Sequence, residues 1–138
     1  MKKLFLLCFV AVMAIGSAQA QEEKNESTEN IPGPRIVFAE MEHNYGTIVK
    51  GGDGNCEFTF TNTGDEPLVL SNVRASCGCT TPSWTQKPVM PGKTGSIKVR
   101  YNTNNVGGFT KTVTITSNAV NESRVVVKIK GNVVQPGN

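Results

Sequence analysis

Four cysteines and a single histidine are the residues of this chain best suited to chemistry. Cys77 and Cys79 flank Gly78, Cys56 lies upstream of them, and Cys8 falls in an apolar run near the start. Two sulfurs one residue apart suit a redox couple or a soft-metal site holding Cu(I) or zinc. A redox couple usually takes the form Cys-x-x-Cys at a helix N-terminus, where the dipole lowers one thiol's pKa. Here Cys-Gly-Cys lies at a strand end. A metal would have to recruit Met90 or His43, and no second ligand pair with regular spacing accompanies Cys77 and Cys79. They are therefore weak metal candidates, and no metal or cofactor is expected.

His43 would have to serve any Ser-His-Asp or Cys-His hydrolase, yet Glu42-His43-Asn44-Tyr45-Gly46 reads as a kink between strand pieces, and no Gly-x-Ser-x-Gly elbow goes with it. Glu40 and Glu42 flank one strand and Asp65 and Glu66 occupy a turn, so no carboxylate pair converges for glycoside hydrolysis. No catalytic residue is expected. Trp84, in the loop Thr80 to Pro88, has two readings: a plug closing one end of the core, or an aromatic anchor on a recognition loop.

The elements that position these residues begin after a leader. Lys2 and Lys3, an apolar run from Leu4 to Ile15, and Ser17-Ala18-Gln19-Ala20 make residues 1–20 a signal peptide cleaved after Ala20. The run is too short for a stable bilayer-spanning helix, and Cys8 is buried within it rather than placed for lipidation. An exported chain meets an oxidising compartment, so its three remaining cysteines, Cys56, Cys77 and Cys79, are disulfide candidates with one left over. If Cys56 and the Leu68 to Cys77 strand pair as a hairpin, a structural bond from Cys56 to Cys77 or Cys79 is within reach, with three free thiols as the alternative. A Cys77 to Cys79 bridge would close a very tight ring around Gly78.

Losing Lys2 and Lys3 takes the formal charge from +3 to +1. Residues 21–34, QEEKNESTENIPGP, are acidic and lack aromatics, which makes them a flexible spacer. From Arg35 to Asn138, eleven basic residues face seven acidic ones, a surplus of +4 that looks scattered along the sequence. No basic cluster of the kind nucleic-acid binders show is present, so nucleic acid is not an expected partner.

Residues 35–138 carry short runs of alternating apolar residues punctuated by Gly, Pro, Asn and Asp. Ile36 to Met41 is a first strand, continued after a kink by Tyr45 to Val49. Cys56, Phe58 and Phe60 alternate next. Leu68, Leu70 and Val73 share a face only with a bulge near Ser71-Asn72. Ile97, Val99 and Tyr101, then Phe109, Val113 and Ile115, then Val125, Val127 and Ile129 complete the inward rows. About seven strands of this spacing predict an all-β, immunoglobulin-like β-sandwich.

Ser76-Cys77-Gly78-Cys79-Thr80, Pro82, Trp84, Pro91-Gly92, Tyr101, Gly107, Phe109, Ser117-Asn118 and Lys130-Gly131-Asn132-Val133 resemble the exported bacterial family called domain of unknown function 1573. Phe60 to Gly64 with Pro67-Leu68 resembles the broader immunoglobulin-like group of hydin-type and major-sperm-protein-like domains. That likeness implies an interaction module without catalysis. The expected function is an exported, periplasmic or secreted, non-enzymatic binding or structural module of the envelope, contacting another protein or a surface glycan. The competing class is a thiol-based redox or metal module centred on Cys77 and Cys79.

Overall fold

Alternating side chains build eight strands in the computed structural model, which describes residues 31–137: β1 Ile36–Phe38, β2 Glu42–Val49, β3 Asn55–Asn62, β4 Leu70–Ala75, β5 Thr80–Trp84, β6 Thr94–Tyr101, β7 Gly107–Ser117 and β8 Arg124–Val134. The expected signal peptide and residues 21–30 of the expected spacer lie outside the described residues. One sheet has the order β1-β3-β6-β5 and the other β2-β8-β7-β4. All neighbours are antiparallel except β2 and β8, which run parallel.

The inward rows meet between the sheets. Phe58, Phe60, Ile97 and Val99 on one side and Val113, Ile115, Val127 and Ile129 on the other are each at most 1% exposed. Tyr101 of β6 stacks on Phe109 of β7 with ring centroids 3.7 Å apart, joining the sheets near one end. Each sheet also lays a phenylalanine over a glycine directly across the ladder: Phe60 faces Gly95, and Phe109 faces Gly131. The expected bulge is present, as a register shift between Leu70 and Asn72.

Four expectations need correction. Ile36 to Val49 is not one kinked strand: Ala39 N–H still bonds Thr59 O while Met41 O accepts from Lys128 N–H, so the chain crosses from one sheet to the other between them. His43 consequently lies within β2. Thr80–Trp84, read as loop, is an edge strand beside β6, because Pro82 loses no ladder bond there. Asn102 N–H donates to Cys79 O and Thr85 N–H to Ser96 O, which turns the backbone donors at positions 80, 82 and 84 away from β6.

Third, β3 and β4 do not form a hairpin. The segment between them crosses to the other sheet, held by Asn62. This side chain is fully buried; its Oδ1 accepts from Arg35 N–H and Gly64 N–H, and its Nδ2 donates to Glu66 O and Val89 O. With the chain fastened there, β3 pairs β1 and β6 instead. Fourth, Gly33 and Pro34, assigned to the spacer, are buried. Gly33 N–H donates to Asp65, and Pro34 O accepts from Val120 N–H, so the packed domain starts ahead of Arg35.

Candidate functional site

One end of the sandwich gathers three connections: Gly51–Asn55 from β2 to β3, Cys77–Cys79 from β4 to β5, and Asn102–Asn104 after β6. They enclose a cleft of about 550 Å³ whose lining includes Asp53, Asn55, Cys79, Thr81, Arg100 and Asn102. Its floor is fixed by hydrogen bonds to glycine carbonyls. Gly54 O accepts from the Tyr45 hydroxyl at 2.7 Å and from Tyr101 N–H at 2.8 Å, and Thr103 Oγ1 donates to Gly52 O at 2.7 Å. A side chain at Gly54 would run into the carbonyl of Tyr101, so a glycine is needed there. The expectations from sequence passed over this cleft, because its residues are turn residues of ordinary type that only the topology assembles.

The sulfurs divide. Cys77 and Cys79 are joined to each other, their Cα atoms 5.3 Å apart, and Cys56 is a free thiol. The favoured bond from Cys56 to Cys77 or Cys79 is therefore corrected: it depended on β3 pairing β4, and those strands belong to different sheets. Cys56 instead points into the core beside Tyr45. Burial pushes its thiol pKa up, against the lowering effect of the Tyr45 hydroxyl, and burial also raises Tyr45. Cys56 is thus a free, partly buried thiol whose neutral form is favoured.

His43 packs edge-on against Tyr45, ring centroids 4.5 Å apart. It sits on β2, at the opposite edge of its sheet from β4. Three strand spacings, about 14 Å, separate that edge from the β4 end that carries Cys77. Met90 is exposed at the other end of the sandwich, beside Asn62. Among the described residues no three His, Cys, Asp or Glu side chains converge as a metal site would require. Glu42 is taken up by Lys130 at 2.5 Å and Lys128 at 3.9 Å, and the hydrogen bond from Lys130 chiefly lowers its pKa.

Trp84 ends β5 and packs against the core, partly buried, with its Nε1–H enclosed and lacking a protein acceptor. A buried donor without a partner costs about 1–3 kcal/mol. Trp84→Phe is therefore expected to leave urea-unfolding stability within about 1 kcal/mol of wild type, the lost ring area being offset by the removed donor. Trp84→Ala should cost about 2–4 kcal/mol. A phenylalanine variant as unstable as the alanine one would mean that the N–H, not the ring, does the stabilising.

The charge surplus is not scattered in space. Strand alternation puts Arg74 of β4 and Arg124, Lys128 and Lys130 of β8 on the outer face of the second sheet, around Thr110, Thr112, Thr114 and Thr116 of β7. Glu42 is the acidic residue of that face, leaving three of the four surplus charges there.

A family model described as "Protein of unknown function (DUF1573)" matches residues 36–133. Among solved structures, a protein of unknown function from Porphyromonas gingivalis W83 superposes with TM-score 0.65 at 14% identity, over 73% of this chain and 47% of that one. The ASH/PapD-like domain 7 of human CEP192 gives 0.63 at 6% identity, over 75% and 87%. The VesB protease of Vibrio cholerae gives 0.61 at 15% identity, over 71% and 32%. The chain thus spans about half of the Porphyromonas protein and about a third of the protease. At such identities the likeness is one of fold, an immunoglobulin-like, PapD-like sandwich. No curated protein matches the sequence.

Proposed function

We propose, from the premise that this chain belongs to the DUF1573 family of proteins of unknown function, that it is an exported, non-enzymatic binding module of the bacterial envelope. Its partner is an extended, acidic segment of another protein, taken up along β2. The supporting observation is the edge that β2 leaves open. Met41 O accepts from Lys128 N–H and Lys50 N–H donates to Val134 O. By alternation, the backbone groups of Glu42, Asn44, Thr47 and Val49 point away from β8, with a register shift between Asn44 and Thr47. An added strand completes such an edge through main-chain hydrogen bonds.

The other edges are blunter. β1 has three residues, β4 has six and, like β2, a register shift, and Pro82 removes a donor from the middle of the five-residue β5, against eight residues in β2. Beside β2 runs the basic face with Lys128, Lys130 and Arg124, which favours an acidic strand over a basic one. Export rests on the leader residues, and the non-enzymatic reading on the separation of His43, across the width of its sheet, from the Cys77–Cys79 pair.

Val49→Pro tests the edge, because only an outward N–H is lost while Val49 O keeps its bond from Gly52 N–H. The variant is expected to lose about 1 kcal/mol of stability at most and to lose the crosslinked partner that tagged wild-type protein captures in its native envelope. Equal capture would remove β2 as the contact. N-terminal mass analysis of the recovered protein is expected to begin at Gln21; an unprocessed Met1 would remove export.

A further inference from the structure

We propose that the Cys77–Cys79 bond is an exchangeable disulfide, which accepts electrons from the thiols of a partner protein or of a small-molecule thiol at the cleft mouth. This goes beyond the binding function and does not depend on it. The bond spans one residue, so its closure restricts the unfolded chain far less than a long loop would, and it adds little to stability. The strands on either side are secured without it. Ser76 N–H bonds Thr112 O, Asn102 N–H bonds Cys79 O, and Thr80 N–H bonds Cys77 O. Gly78 at the apex is exposed, and space around it is open. A bond that neither anchors a strand nor closes a loop has no evident structural task.

The surroundings are built for a sulfur anion. Cys77 Sγ accepts Cys79 N–H at 3.3 Å. Thr80 is 4% exposed, and its hydroxyl lies 3.9 Å from Cys77 Sγ and 3.8 Å from Cys79 Sγ, with no hydrogen bond to any oxygen or nitrogen among the described residues. A buried hydroxyl aimed only at two sulfurs gains little from a disulfide and considerably more from a thiolate. Arg100 and Asp53 line the cleft with Cys79, and the β4–β7 register carried two residues past Ala75 sets Lys111 opposite Cys77. A net cationic, partly exposed setting of this kind favours a thiolate.

The step is thiol–disulfide exchange. An incoming thiolate attacks Cys79 Sγ, forming a mixed disulfide. The Cys77–Cys79 bond breaks, and its electron pair leaves on Cys77 Sγ, held by Cys79 N–H and the Thr80 hydroxyl. A second thiolate then attacks the incoming sulfur and releases Cys79 as a thiolate. Two thiols of the donor become a disulfide, Cys77 and Cys79 become a dithiol, and the two protons lost by the donor match the two they take up.

The test uses protein purified without reductant and equilibrated in graded ratios of reduced to oxidised glutathione, with thiols trapped by alkylation and located by peptide mass mapping. Cys77 and Cys79 are expected to become reduced together while the fold persists, the melting temperature moving by no more than a few degrees, and Cys56 staying unlabelled until unfolding. In Cys79→Ser, Cys77 is expected to alkylate at least about tenfold faster than Cys56 does in the folded protein, and Thr80→Val should slow it several-fold. A bond that resists reduction until the domain unfolds would overturn the proposal. So would a Cys77 that reacts no faster than Cys56, and that rate is read in folded protein whichever variant expresses best.

Discussion

Asn62→Ala is expected to lower the unfolding free energy by about 3–5 kcal/mol in urea titration, enough to leave a small domain marginal. Four backbone groups lose a hydrogen bond at once: the N–H groups of Arg35 and Gly64 and the carbonyls of Glu66 and Val89, of which Val89 O keeps its bond from Leu68 N–H. Water can replace some of these bonds near the surface, but the bond to Val89 O is buried. The consequence is topological as well as energetic, since this amide holds the crossing from β3 to β4.

Asn62→Asp sharpens the test. An oxygen would replace the amide nitrogen that donates to two carbonyls, so the ionised form is repelled there and the folded pKa lies above the unfolded value of about 3.9. A group whose pKa is raised by folding contributes most below its unfolded pKa and loses that contribution as pH rises through the folded one. The variant should therefore weaken relative to wild type as pH climbs from about 4 toward neutrality. Growing relative stability over that range would show that the side chain does not donate to Glu66 and Val89.

Much of the sandwich was legible because burial imposes a period of two. Cys56-Phe58-Phe60, Ile97-Val99-Tyr101 and Val125-Val127-Ile129 all face inward as alternation requires, and the phase error at Leu70 to Val73 announced its own bulge. What alternation does not carry is which strand lies beside which. A turn such as Asn62 to Pro67 reads the same whether it closes a hairpin or crosses between sheets, and the difference here lies in one amide bonding four backbone groups, two of them 27 residues away in sequence. The Cys56 pairing fell with that ambiguity. Thr80–Trp84 was hidden by Pro82, which signals a break unless the strand is at an edge. The cleft was illegible for another reason: Asp53, Arg100 and Thr81 are far apart in sequence, and only the ladder connecting Asn55 to Arg100 to Thr81 brings their turns together.

The phenylalanine-on-glycine pairs supply the other large effect. Phe60 is fully buried, and a side chain added to Gly95 would overlap its ring. Phe60→Ala is expected to cost about 3–5 kcal/mol, and Gly95→Val about 1–3 kcal/mol from overpacking. If the ring occupies the space that the missing side chain vacates, the two changes compensate. The double variant Phe60→Ala, Gly95→Val should then be more stable than the sum of the singles predicts, by about 1–2 kcal/mol in a double-mutant cycle. Gly131 holds the same relation to Phe109 in the other sheet, where an added Cβ would lie 2.9 Å from the ring. Gly131→Val combined with Gly95→Val should add within about 0.5 kcal/mol, since the two glycines serve different rings in different sheets. Strict additivity within the Phe60 and Gly95 cycle would mean the ring rests on other neighbours, and Gly95 would then be present for the backbone alone. Coupling in that pair together with additivity between sheets would instead show that each sheet positions an inward phenylalanine ring by leaving out the side chain opposite. That relation joins residues directly opposite each other on neighbouring strands, and there a strand glycine, normally a weakening choice, is the stabilising one.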